Sequence, residues 1–183
     1  MKDVSHFDVL EARFHTWLAQ NSIPVTRFAV GVIFFWFGVL KFFPGLSPAQ
    51  DLAGRTISTL TLGHITPHVS LPILATWECL IGIGLLTASG QYMRVTLVLL
   101  ALQLPGTFLP LVFFPAETWT HFPYAPTLEG QYIMKNLVLI SAGLLMGATM
   151  HGGKVIMDPK AANLAEKKQE AYSRYRRRFR IEP

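Results

Sequence analysis

Long apolar runs with few charges alternate with short polar ones along this chain, and the length of the apolar runs decides how they are read. A bilayer hydrocarbon core about 30 Å thick is crossed by about 20 helical residues at a rise of about 1.5 Å each. Four runs close to that length occur, at 25–43, 71–88, 95–114 and 132–149, and they predict four transmembrane helices. Pro105 and Pro110 fall inside the third run. Neighbouring helices can satisfy the backbone groups that proline leaves free, so a kink is expected there.

The flanking segments have patterns of their own. In residues 1–24, Ser5 with Asp8 three positions later is a capping pattern, and Phe7, Leu10, Phe14, Trp17 and Leu18 follow on one helical face. These residues predict an amphipathic helix lying on the membrane surface. Between the first two spans, Ser47 followed by Pro48 reads as an N-cap with proline at the first helical position, and 52–60 can continue a short helix. Residues 151–183 form a basic tail, whose stretch 161–180 suits either a helix at the headgroup surface or disorder. The expected fold is an all-α membrane protein, with a four-transmembrane-helix bundle over 25–150 between the N-terminal surface helix and the tail.

Composition agrees: a mean hydropathy of +0.36, with 51% hydrophobic against 15% charged residues, is too apolar for an ordinary soluble domain. The net charge of +5 raises nucleic acid as a partner, but nine of the sixteen Lys and Arg lie between residues 154 and 180, outside every apolar run. That placement reads as a topology signal, with Arg174, Arg176, Arg177, Arg178 and Arg180 meeting anionic lipid headgroups, and nucleic acid is not an expected partner. Lys2, Arg13, Arg27 and Arg94 fall on the same side as the tail if four helices span, whereas the loops on the other side hold only Arg55. The positive-inside rule then places both termini in the cytoplasm. Acidic residues at Asp3, Asp8 and Glu11 argue against a cleaved leader. Trp119, Tyr124 and Tyr132 suit the aromatic belt on the outer side.

Candidate chemistry is sparse. The single cysteine, Cys79, excludes a dithiol couple within the chain, and no phosphate-binding loop, dinucleotide fingerprint or serine triad motif occurs, so no catalytic residue is nominated. His64, His68 and His121 are weak metal candidates, because Pro67 interrupts the spacing of the first two and no Cys or acidic ligand adds to them. Gly82 and Gly84, and Gly143 and Gly147, mark faces where helices can approach closely.

The polar residues inside the spans are more informative: Lys41, Glu78, Gln103, Lys135 and Asn136. By helical rise, Lys41 and Lys135 lie about 3 and 5 Å below the outer boundary, Glu78 about 10 Å below it, and Gln103 near the midplane. Each lysine can snorkel to the headgroups. Glu78 is too short to do so and must be protonated, face a wet cavity or pair with a cation. A cluster of Lys41, Glu78 and Lys135 is therefore expected. It either holds the helices in register or binds an anionic or carbonyl-bearing ligand, and two cations around one carboxylate favour the ligand.

These residues also carry a likeness. The stretch 27–45, RFAVGVIFFWFGVLKFFPG, resembles the opening signature of the DoxX-like membrane proteins; Glu78 with Gly82 and Leu85-Leu86 is similar to that family's second helix, and Lys135-Asn136-Leu137 to the start of its fourth. The resemblance covers 27–149 and implies a four-helix inner-membrane protein. It further implies a subunit or anchor of a quinone-linked oxidoreductase or an oxidative-stress system, non-catalytic in itself, with quinone as the implied ligand and a membrane redox complex as the implied partner. A structural accessory subunit and a small-solute transporter or channel are the other classes the residues leave open.

Overall fold

The computed structural model describes residues 6–47, 49–87 and 89–150. Ser5, Pro48 and the tail with Arg174, Arg176, Arg177, Arg178 and Arg180 lie outside the described residues. The chain divides into a unit Met1–Gly147 and a second unit Ala148–Pro183, and the architecture that follows belongs to the first.

The described chain is mostly helical, and four of its segments are long and apolar enough to cross a membrane: Arg13–Leu40, Pro67–Thr87, Gly90–Phe113 and Leu128–Thr149. The first belongs to α1, His6–Leu40, which runs through Pro24 without a break. The expected boundary at residue 24 between surface helix and span is thus not marked in the backbone. Near the proline two side chains add bonds to helix carbonyls: Asn21 Nδ2 donates to the carbonyl of Trp17 at 2.8 Å and the Thr26 hydroxyl to that of Ser22 at 2.7 Å. Leu10, Phe14 and Trp17 are more than half exposed.

The central element is α3, Pro67–Thr87, which packs against both α1 and the loop helix α2, Gln50–Leu60, as well as α4, Gly90–Gly106. Its buried positions Ala75, Glu78, Ile81, Gly82 and Leu85 recur at three- and four-residue spacing, the stripe of a helix enclosed on one side. Glycine sets the closeness of α1 and α3. A Cβ on Gly82 would stand 2.5 Å from the backbone nitrogen of Phe35, and one on Gly38 2.9 Å from that of Cys79. Only glycine permits this approach without displacing backbone. Gly84 faces Thr96 in the same way, whereas nothing lies within 4 Å of a Cβ on Gly147, so the expected close face of α8, Asn136–Thr149, holds at Gly143 against Leu100 and not at Gly147.

The kink expected in the third span takes the form of an interruption. α4 ends just after Pro105, residues 107–109 form turns, and Pro110 opens α5, Pro110–Phe113. The loop helix differs from its expected start. α2 begins after Ala49, whose φ of 55° is left-handed, and no side chain caps it. The turn at Ala49 separates Ser47 from the helix, so Ser47 is not the N-cap. The other loop holds α6, Pro115–Thr118, and a small antiparallel hairpin of β1, Trp119–His121, with β2, Ala125–Pro126. The fourth span is itself divided into α7, Leu128–Met134, and α8, with Lys135 at the junction.

Candidate functional site

The site begins where α1 ends. Lys41 follows Leu40 in a turn whose backbone N–H donates to the carbonyl of Gly38 at 3.2 Å, and the Gly38 contact with α3 places this turn beside Glu78. Lys41 Nζ donates to Glu78 Oε2 at 2.6 Å, and both side chains are about 10% exposed. The other carboxylate oxygen is taken by α4: Gln103 Nε2 donates to Glu78 Oε1 at 2.8 Å. Two helices and the turn after α1 thus meet on one carboxylate. A carboxylate only accepts, so the Gln103 amide must turn its nitrogen toward Glu78, which leaves its Oε1 facing elsewhere.

The array lies in the wall of a cavity of about 710 Å³. Aliphatic and aromatic side chains dominate the lining, and α2 contributes Leu52, Ala53, Thr56, Ile57 and Leu60 to it. Polar groups are few: Lys41, Glu78 and Gln103, Ser70 and Trp77 from α3, Tyr132, Lys135 and Asn136 from the α7–α8 junction, and Thr56 and Thr107, whose hydroxyls donate to the carbonyls of Leu52 and Leu104. Gln103 Oε1 and Ser70 Oγ are buried with no hydrogen-bond partner among the described residues. Ser70 is 3% and Gln103 9% exposed, so water outside the protein does not satisfy them. Trp77 is anchored differently, its Nε1 donating to the carbonyl of Leu99 at 3.1 Å.

The loops on this side are clasped together. Both terminal nitrogens of Arg55 on α2 donate to the two oxygens of Glu117 on α6, Nη1 at 2.8 Å, and its Nε lies 2.8 Å from Asp51. The guanidinium also stands 4.9 Å from the centre of the Phe114 ring, within cation–π range. The pairing holds the Glu117 carboxyl below the usual carboxylate range and raises the already high value of Arg55 further.

The expected cluster is therefore changed in one member. Glu78 pairs with Lys41 as anticipated, but Gln103 takes the second place and Lys135 makes no ion pair with it. Depth along a helix fixes height, not azimuth; Lys135 is exposed, while Gln103 lies on the buried stripe of α4. Asn136 and Lys135 share the cavity lining without joining the array. Tyr132 also lines the cavity, its ring meeting Phe37 edge-on at 5.9 Å. His64, His68 and His121 are not gathered: no three potential metal ligands come together among the described residues, His64 Nδ1 lies 2.8 Å from the carbonyl of Thr61, and His121 stacks on Tyr124.

Ser70, Trp77 and the α2 wall escape the sequence reading. A signal for the first two exists, since Ser70, Leu74, Trp77 and Glu78 are spaced as one helical face. Lone Arg55 in one loop opposite the acidic residues of the other would have pointed to the clasp. Comparison with protein-family models, with curated proteins and with solved structures gave no match.

Proposed function

We propose that this chain is a DoxX-like subunit of a bacterial inner membrane, a four-helix bundle with both termini in the cytoplasm, that holds a lipid-phase ligand with an oxygen-bearing head for a quinone-linked oxidoreductase or oxidative-stress system. The observation that carries the reading is the pairing of an apolar cavity with unsatisfied buried polar atoms, Gln103 Oε1 and Ser70 Oγ, beside the Lys41–Glu78–Gln103 array. Mostly apolar walls with a few convergent polar groups are the usual form of a small-molecule site. A register-setting ion pair needs no cavity next to it.

A quinone fits the lining, and only its reduced, hydroxyl-bearing form offers a proton to the acceptor Gln103 Oε1. Its ring and chain match the aliphatic and aromatic lining, and its oxygens can accept from the Lys41 ammonium or the Tyr132 hydroxyl. When bound, a quinone supplies a two-electron, two-proton couple. The residues of this chain bind and orient it and keep water from its ring, while the electrons come from a partner. The closed bonding of Lys41, Glu78 and Gln103 among themselves favours a second reading, a structural accessory subunit whose array only locks α1, α3 and α4 together. A transporter would need a more continuous polar lining than the cavity provides.

Native mass spectrometry of the chain extracted gently from its own membrane, beside Glu78→Gln, separates these. A quinone or other small amphiphile retained by the natural chain and lost from the variant is the expected result. No small ligand in either, with the same protein partners kept by both, would overturn the ligand reading and leave the accessory subunit.

A further inference from the structure

The charges around the cavity do not balance. Lys41, Glu78 and Lys135 are the charged residues of its lining among the described residues. Lys41 and Glu78 neutralise one another, and the second oxygen of Glu78 is occupied by Gln103. One positive charge, that of Lys135, is left over. Its ammonium has no hydrogen bond or ion pair among the described residues, and neither the Tyr132 hydroxyl nor the Asn136 amide has a hydrogen bond there. These three side chains fall within one turn, at the junction where α7 gives way to α8.

An ammonium within a membrane-crossing segment either reaches headgroups or meets an anion. Here it lines a cavity together with a phenol and an amide, both able to donate to an oxyanion. Resting on the reading of this cavity as a ligand site, we infer that it takes the anionic form of an oxygen-bearing ring ligand in preference to the neutral form, with Lys135 as counter-charge and Tyr132 and Asn136 as flanking donors. The site then favours a ligand whose head has lost a proton over the same ring uncharged, so that charge adds a criterion to the apolar fit.

Two probes of nearly equal size test this: a hydroxynaphthoquinone, which is an anion at neutral pH, and a methylnaphthoquinone, which is neutral. Binding to the full chain in detergent is read from quenching of tryptophan fluorescence, Trp77 being part of the lining. The natural chain should bind the anion on the order of two- to fivefold more tightly, the range of a partly screened ion pair. That ratio should fall to near unity in Lys135→Gln, persist in Lys135→Arg, and shrink in the natural chain as salt is raised. Equal binding of both probes by the natural chain, or a preference that survives Lys135→Gln or added salt, overturns the inference but leaves the ligand site in place. Binding of neither probe overturns both.

Discussion

Lys41 Nζ lies 2.6 Å from Glu78 Oε2 although thirty-seven positions separate the two residues, and the contact ties the turn after α1 to the buried stripe of α3. Both partners are largely removed from solvent, so the pair gains from mutual attraction only what desolvation has not already cost. Breaking it from one side is a different matter, because a buried charge is left without its counter-ion. Lys41→Met is expected to destabilise the fold by about 3 kcal/mol, and Lys41→Met with Glu78→Leu by much less. Thermal or denaturant unfolding in detergent, arranged as a double-mutant cycle, measures the coupling. Additive single effects would show that the two charges do not depend on each other.

The close approach of α1 and α3 predicts opposite outcomes for two glycines. Gly82→Ala puts a methyl group 2.5 Å from the backbone nitrogen of Phe35, which has no flexible end to give way. The helices must separate, at a cost of about 1–3 kcal/mol. Gly147→Ala meets nothing within 4 Å and replaces a poor helix former inside α8, so it should be neutral or stabilising by up to about 1 kcal/mol. Equal shifts of the melting temperature for the two variants would mean that the contact at Phe35 is not made.

How much of this was legible depends on what kind of information each feature needs. The four apolar segments were legible because span length is set by membrane thickness, and Glu78 stood out because a short acid in such a segment demands a partner. Lys41 followed from depth alone. Lys135 did not, because depth leaves open which way a residue faces around the helix; Gln103 won that place from the enclosed side of α4. The false cap at Ser47 had the right residue types, yet the left-handed turn at Ala49 is a tertiary choice with no local signature. Strands of three and two residues are too short for any alternation to register, so β1 and β2 could not be read.

The clasp between Arg55 and Glu117 predicts an acid-sensitive loop. Pairing depresses the Glu117 carboxyl in the folded chain, so its stabilising effect is present above the ordinary carboxylate value and is lost as pH falls through the lowered one. Arg55 stays charged throughout. Amide hydrogen exchange in α2, corrected for the intrinsic pH dependence of exchange, should therefore lose protection as pH drops below the usual glutamate range. Glu117→Gln should show the weaker protection already at neutral pH and no further acid step. An acid step of the same size in that variant would assign the titration to another group.

The cavity itself can be tested by filling it from α2, the element that roofs it. Ala53 lines the cavity and is half-buried, whereas Thr59 on the same helix is exposed and takes no part in the lining. A phenyl ring at position 53 occupies space a ligand would need and gains apolar contacts there, so Ala53→Phe should hold or raise the melting temperature while weakening probe binding by at least about tenfold. Thr59→Phe adds the same ring to the surface and should leave binding unchanged. The comparison holds helix, loop and added ring constant and varies only the direction in which the ring points. Unaltered binding in Ala53→Phe would mean that the probe binds outside the space between α2 and the array of Lys41, Glu78 and Gln103.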